Sequence, residues 1–187
     1  MAKSNRIDVP FEFRAVGDDA GNGGFEGVAN MTLTCDRYGT IFAPGAFSTD
    51  LDEFRANGFV AGLNHNHAKP IGRIAEARED GRGLYVKADL MDYDHAQEVR
   101  RYMRDGLCKF LSIGFRVVTR EYLSTLADVQ EWWRGMNYTP TDEDQVNAAY
   151  GAVVFKRAKV FEVSPVMIPG NAGSAIAAAR SGPGPEL

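Results

Sequence analysis

The sequence predicts a single α+β domain, mostly β, arranged as a closed or nearly closed barrel flanked by short helices. Three observations lead there. Strand-like apolar runs dominate the chain, only two stretches carry helical periodicity and both are short, and 187 residues at 44% apolar content suit one core better than two. Residues 1–176 are expected to form the domain, with an insertion at about 121–150 and a tail at 177–187.

Residues 10–34 contain two apolar runs, PFEFRAV and GFEGVANMTLT, separated by DDAGNGG, whose Asp, Asn and Gly residues favour turns. They predict two strands with a hairpin-like connection. In FAPGAFSTDLDEFRANG, Phe47, Leu51 and Phe54 share a helical face, and Gly58 is placed to end a short helix. The segment GLYVKADLM alternates Leu84, Val86, Ala88 and Leu90 against Tyr85, Lys87 and Asp89, the pattern of a half-buried strand entered from an Asp80-Gly81 turn. Asp94 can cap a second helix running to about Asp105, with Ala96, Val99 and Met103 inward and Gly106 closing it.

KFLSIGFRVVT reads as a strand, and AVVFKRAKVFEVSPVMI as one or two more. Between them, residues 121–150 are acidic and polar, carry Trp132 and Trp133, and predict one or two helical turns followed by loop. SGPGPEL at the end has the composition of a disordered tail.

A formal charge of −4 without Lys/Arg runs gives no footprint for nucleic acid. The first ten residues lack the apolar core of a signal peptide, and no apolar stretch is long enough to span a bilayer, so a soluble protein made in a cytoplasm is expected. Cys35 and Cys108 are far apart and outside any CxxC spacing, which suits two reduced packing residues.

Chemistry could sit at three polar positions within apolar surroundings: His65 and His67 in LNHNHAKPIG, Ser112 in FLSIGF, and Glu162 in VFEVSPV. Each has a bland alternative. A strand serine is usually just a small residue, and two histidines two apart share a strand face, where they could bind a metal, though the further ligands of a cupin-type site are missing. A carboxylate between Phe161 and Val163 is costly unless it faces solvent or meets a donor. Alternation groups Val160, Glu162 and Ser164 on one face, and Ser112, Gly114 and Arg116 opposite the inward Leu111, Ile113 and Phe115.

Taken in order, FEGVAN, Asp36, APGAF, LNHNHAKPIGR, EDGRGLYVKADL, GLCKFLSIGF and EVSPVMIPGNAGSAI form a pattern over residues 25–176. It resembles the prohead protease family of tailed phages and gene transfer agents, whose fold is related to the herpesvirus assembly proteases. The resemblance implies a herpesvirus-protease-like fold and a serine endopeptidase with Ser112 as nucleophile. His65, five residues before Pro70, becomes the general base, and His67 a supporting or surface residue. Glu162 matches the place of the third triad member, a second histidine in the herpesvirus relatives. Asn66 departs from the Asp that commonly follows the histidine, and Gly114, Arg73 and Arg116 are candidates near the oxyanion site.

The implied substrates are the scaffold, the N-terminal part of the major capsid protein and the enzyme itself, inside an assembling procapsid in the bacterial cytoplasm. Contact with the portal and self-association are further implied partners; no metal, organic cofactor, nucleic acid or membrane is implied. Two alternatives stay open: a catalytically silent assembly factor on the same fold, and a metal-dependent hydrolase using His65 and His67.

Overall fold

The computed structural model describes residues 14–16 and 23–180. One nine-stranded mixed sheet organises the chain. In chain order its members are β1 (Arg14–Val16), β2 (Gly24–Met31), β3 (Thr40–Phe42), β4 (Phe59–Val60), β5 (Gly72–Asp80), β6 (Gly83–Leu90), β7 (Phe110–Leu123), β8 (Ala152–Val166) and β9 (Ala175–Arg180). Among the described residues four α-helices, α1 (Leu51–Asn57), α2 (Asp94–Arg104), α3 (Leu126–Gly135) and α4 (Asp142–Asn147), and a single 3-10 turn at Ser48–Asp50 interrupt them.

The strands follow the order β1-β9-β2-β6-β5-β4-β8-β3, with β7 pairing along β8. The expected barrel is therefore corrected to an open sheet. Both ends can be identified. Strand β8 takes β7 along its length on one side and β4 and β3 in succession on the other, so β7 ends the sheet there. At the opposite end β1 pairs in parallel with residues 178–180 of β9 and occupies the edge that a closing strand would need. Across the remaining gap the Ile176 N–H donates to Lys109 O at 2.9 Å, just ahead of β7.

The hairpin expected from residues 10–34 is also corrected. Strands β1 and β2 are both partners of β9, which lies between them. The turn-forming residues 17–22 and the tail SGPGPEL lie outside the described residues.

Elsewhere local pattern and structure agree. Leu84, Val86, Ala88 and Leu90 are all buried in β6, which follows β5 through a turn where Arg82 N–H donates to Asp80 Oδ1 at 2.9 Å. Helix α2 buries Ala96, Val99 and Met103, and Gly106 after it adopts φ +73°, the left-handed conformation that suits glycine. Asp94 is the first helical residue, and Tyr93 holds the cap position, so Asp94 acts through its charge at the positive helix end.

Helix α1 buries Phe54 against the main core of Phe25, Phe42, Phe47, Leu111 and Val163. Gly58 ends it for a reason other than the one its residue type suggests: its backbone is extended, and any Cβ there would enter the Phe54 ring.

The 121–150 region is more ordered than expected. Strand β7 continues to Leu123, and α3 and α4 each open with a capping box, Thr125 with Asp128 and Thr141 with Asp144. Their side chains build a second cluster, in which Trp133 is fully buried and its Nε1–H donates to Leu33 O at 2.8 Å. Asp144 ties this subdomain to the sheet by accepting from Cys35 N–H at 2.8 Å and from Tyr138 Oη at 2.9 Å.

Candidate active site

Strands β7 and β8 run antiparallel with Ser112 opposite Ser164 and Gly114 opposite Glu162. These four residues share the sheet face away from Leu111, Ile113 and Val163. The register then jumps, since Phe115 pairs with Val160, leaving Phe161 as the extra residue of a β-bulge. This corrects the simple alternation: Val160 turns into the core while Phe161 is exposed. A one-residue bulge thus resets the facing of β8 just before Glu162 and Ser164.

Glu162 has no solvent exposure, which corrects the bland picture of an outward-facing carboxylate. A buried carboxylate needs donors, and it has them on both oxygens. His65 Nδ1 lies 2.7 Å from Oε1, and Ser164 Oγ–H donates to Oε2 at 2.5 Å. Gly114 makes the room. A Cβ at that position would overlap the Glu162 carboxylate and the Phe161 ring, so this glycine accommodates Glu162 from the neighbouring strand rather than substrate backbone.

The loop at residues 61–70 brings His65 to this carboxylate. It is laid along the end of β8 by Ala61 N–H to Val163 O at 3.0 Å and Asn64 N–H to Pro165 O at 2.9 Å. Gly62 and Asn66 exchange backbone hydrogen bonds, and Asn64 Oδ1 accepts from Met167 N–H at 3.1 Å. The turn is tight enough to put Asn64 at φ 55° and His65 at φ 61°. Left-handed conformations of this kind cost non-glycine residues about 1–2 kcal/mol each, a cost the surrounding hydrogen bonds offset. Asn66, at the position where the resemblance expects Asp, folds its Oδ1 back to accept from Ala68 N–H at 3.2 Å.

The two histidines are on this loop, not on a strand, yet both reach Glu162: His67 Nε2 stands 3.9 Å from Oε1. His67 otherwise packs edge-on against Phe59 and Phe161. The hydrogen bond to Glu162 raises the His65 imidazole above the ordinary histidine value, against an opposing effect of burial. Because a carboxylate only accepts, Nδ1 carries the proton and Nε2 is left as the basic nitrogen.

His65 and Ser112 line one cleft of about 460 Å³, together with Asn64, Tyr38, Phe42 and Ile168. Among the described residues no hydrogen bond joins Ser112 to the imidazole, so the cleft is what brings these two together. Arg73 and Arg116 are not among the lining residues; Arg73 turns toward Asp89, 3.4 Å away. Two residues from the sequence pattern are scaffolding. Asp36 Oδ1 accepts from Tyr38 and Thr40 N–H at 2.9 and 3.0 Å, and Glu79 holds the APGAF turn through Gly45 and Phe47 N–H. Ser164 stands in the EVSPV segment, two residues from Glu162 on the same strand, but the sequence pattern assigns it no role; the structure makes it the second partner of Glu162.

The family model described as caudovirus prohead serine protease matches residues 11–183. Two curated relatives are similar over shorter stretches. The prohead protease of Enterobacteria phage HK97 is 31% identical over 106 residues, covering 56% of this chain and 47% of the relative. That of Escherichia phage T5 is 25% identical over 157 residues, covering 83% and 62% respectively. The chain therefore spans less than two thirds of the length of either relative. The solved structure of the bacteriophage T4 capsid assembly protease, gp21, aligns at TM-score 0.47 and 12% identity, covering 84% of this chain and 81% of that one.

Proposed function

Because the chain belongs to the caudovirus prohead serine protease family, we propose that it is a serine endopeptidase of procapsid maturation, with Ser112, His65 and Glu162 as its catalytic triad. The observation that carries this reading is the 2.7 Å contact between Glu162 and His65, whose imidazole lines the same cleft as Ser112.

In this mechanism Ser112 Oγ attacks a peptide carbonyl while His65 Nε2 takes its proton and later returns it to the leaving amine. Glu162 fixes the tautomer and stabilises the imidazolium. Ser164 holds the second carboxylate oxygen, and substrate binding tightens the approach of Ser112 to the ring, as is usual between unliganded and liganded enzymes. The substrates are capsid-related proteins: the scaffold, the N-terminal segment of the major capsid protein, and the enzyme itself. The work takes place inside the assembling procapsid of a bacterial host. A relation of the fold to the herpesvirus assembly proteases belongs to the same proposal, as does a single protease domain, whose end, expected at residue 176 with a tail from 177, is corrected to Arg180 because β9 pairs with β1 and β2 up to that residue.

The test is coexpression with the major capsid protein of the same phage-type particle, followed by mass measurement of the products. The wild-type chain is expected to shorten the capsid protein, and the Ser112→Ala chain to leave it intact. Equal processing by both would sink the reading. The approach of His67 to Glu162 favours a second one, metal-dependent hydrolysis; in that case a chelator would abolish cleavage and Ser112→Ala would not.

A further inference from the structure

We propose that His65, His67 and Glu162 form an inhibitory site for a zinc-like divalent cation, which shuts the catalytic relay by replacing the proton between His65 and Glu162. The proposal rests on the proteolytic reading for its consequence, but not for the site itself.

Each of the three side chains offers one ligand atom, and these atoms lie within 4.8 Å of one another. The Glu162 oxygen Oε1 is common to both contacts, 2.7 Å from His65 Nδ1 and 3.9 Å from His67 Nε2. In tetrahedral zinc sites bond lengths of about 2.0–2.2 Å set neighbouring ligand atoms roughly 3.3–3.6 Å apart. The two separations from Glu162 bracket that range and the third, between the imidazole nitrogens, is no more than 4.8 Å, so seating an ion requires the exposed histidines to swing toward each other while the buried carboxylate stays fixed. The buried carboxylate is held in place by Ser164, while both histidines are on the exposed side, where water can supply a fourth ligand.

The donor set selects the cation class. Two imidazole nitrogens and one carboxylate oxygen suit zinc or a similar transition metal, whereas magnesium and calcium prefer oxygen donors. The triad as proposed has no use for His67, and its approach to Glu162 is the geometry the site requires.

The consequence for catalysis follows from the atoms. Coordination at His65 Nδ1 displaces the Nδ1 proton, breaks its hydrogen bond to Glu162 and leaves the neutral ring as the tautomer protonated at Nε2, by proton exchange with solvent. In that tautomer Nε2 carries the proton and has no lone pair left to accept the Ser112 proton. Glu162 is itself engaged by the metal and no longer stabilises an imidazolium. A metal here is thus an antagonist of serine catalysis rather than its cofactor.

Binding and inhibition are read separately. Zinc chloride titrated by calorimetry into the Ser112→Ala chain is expected to bind at one equivalent. Adding His67→Ala should weaken binding at least about tenfold, since even residues that merely support a metal ligand change affinity by 10–100-fold. His67→Phe, which keeps the packing on Phe59 and Phe161, should weaken it equally and exposes any loss due to misfolding. Failure of zinc to bind Ser112→Ala, or undiminished affinity in His67→Phe, overturns the site.

For inhibition, zinc should depress capsid processing by the wild-type chain, with recovery on adding chelator. The His67→Phe chain, normalised to its own zinc-free rate, should need at least about tenfold more zinc. Stimulation by zinc, or loss of cleavage in chelator, overturns the inhibitory role. A chain that binds zinc but never cleaves refutes the proteolytic reading and the inhibitory role with it, while the metal site stands.

Discussion

Glu162 Oε1 and His65 Nδ1 are 2.7 Å apart although 97 positions separate them in the chain. Their meeting depends on two devices. The loop at residues 61–70 is hydrogen-bonded along the end of β8, and Gly114 on the adjacent strand leaves the volume that the carboxylate occupies.

Ser112→Ala and His65→Ala are each expected to abolish processing while the melting temperature stays near that of the wild type. Neither side chain belongs to the apolar core, and His65 is on an exposed loop. His67→Ala should cost much less activity. The check is product mass together with a thermal melt of each variant. An essential His67 with a dispensable His65 would reassign the base.

Glu162→Gln should slow cleavage by on the order of 10²–10⁴-fold, since the amide keeps the shape but loses the charge and can favour the wrong tautomer. The pH profile separates this from a general structural defect. His65 works as a neutral base, so the wild-type rate should fall as pH drops through an imidazole value held above the ordinary one by Glu162. With the carboxylate removed, the acid limb of the residual rate should move to lower pH. The measurement belongs in chelator-containing buffer, and an unmoved limb would exclude Glu162 as the partner.

Gly114→Ala should lower stability by about 1–3 kcal/mol, the usual cost of forcing a methyl group into filled space. The overlap is with the Glu162 carboxylate, so activity should fall as well. Denaturant unfolding and a processing assay give both numbers. A variant of wild-type activity would mean that Glu162 can move without consequence.

Asp144→Ala should destabilise the chain by on the order of 2–4 kcal/mol, because it removes the carboxylate half of the α4 capping box, which accepts from Thr141 N–H, and leaves a buried Cys35 N–H without its acceptor. Asp144→Asn should recover part of that loss. Urea midpoints of the two variants test whether α3 and α4 are integral to the fold; a shift below about 0.5 kcal/mol would mark them as a loosely attached insertion.

Burial pushes the Cys35 thiol up to about 12 and the Cys108 thiol up to about 11. Neither should react with a thiol reagent near neutral pH while the chain is folded, since the thiolate is the reactive form. Both should titrate in denaturant. Fast labelling of the native protein would contradict their burial.

Features set by neighbours along the chain are legible in the residues themselves. The alternation of β6 and the inward face of α2 follow from periods of two and of 3.6 residues, which any chain of that pattern must respect if it buries one face. The ordered motifs likewise point to Ser112, His65 and Glu162 one by one. What needs tertiary structure is everything decided by distant partners. The hairpin expected near the N-terminus gives way because β9, from the far end of the chain, fits between β1 and β2.

The barrel stays open because β1 takes the edge that closure requires, and the sequence carries no local mark of that competition. The capping boxes of α3 and α4 are written in Thr125 with Asp128 and Thr141 with Asp144, but their worth depends on the Trp133 burial that the sheet provides. At the site itself, sequence supplies the residue types. The fold decides that one bulge at Phe161, one glycine and one left-handed turn bring two histidines to a single buried carboxylate, because hydrogen-bond geometry is fixed by atoms within a few ångströms, however far apart they lie along the chain.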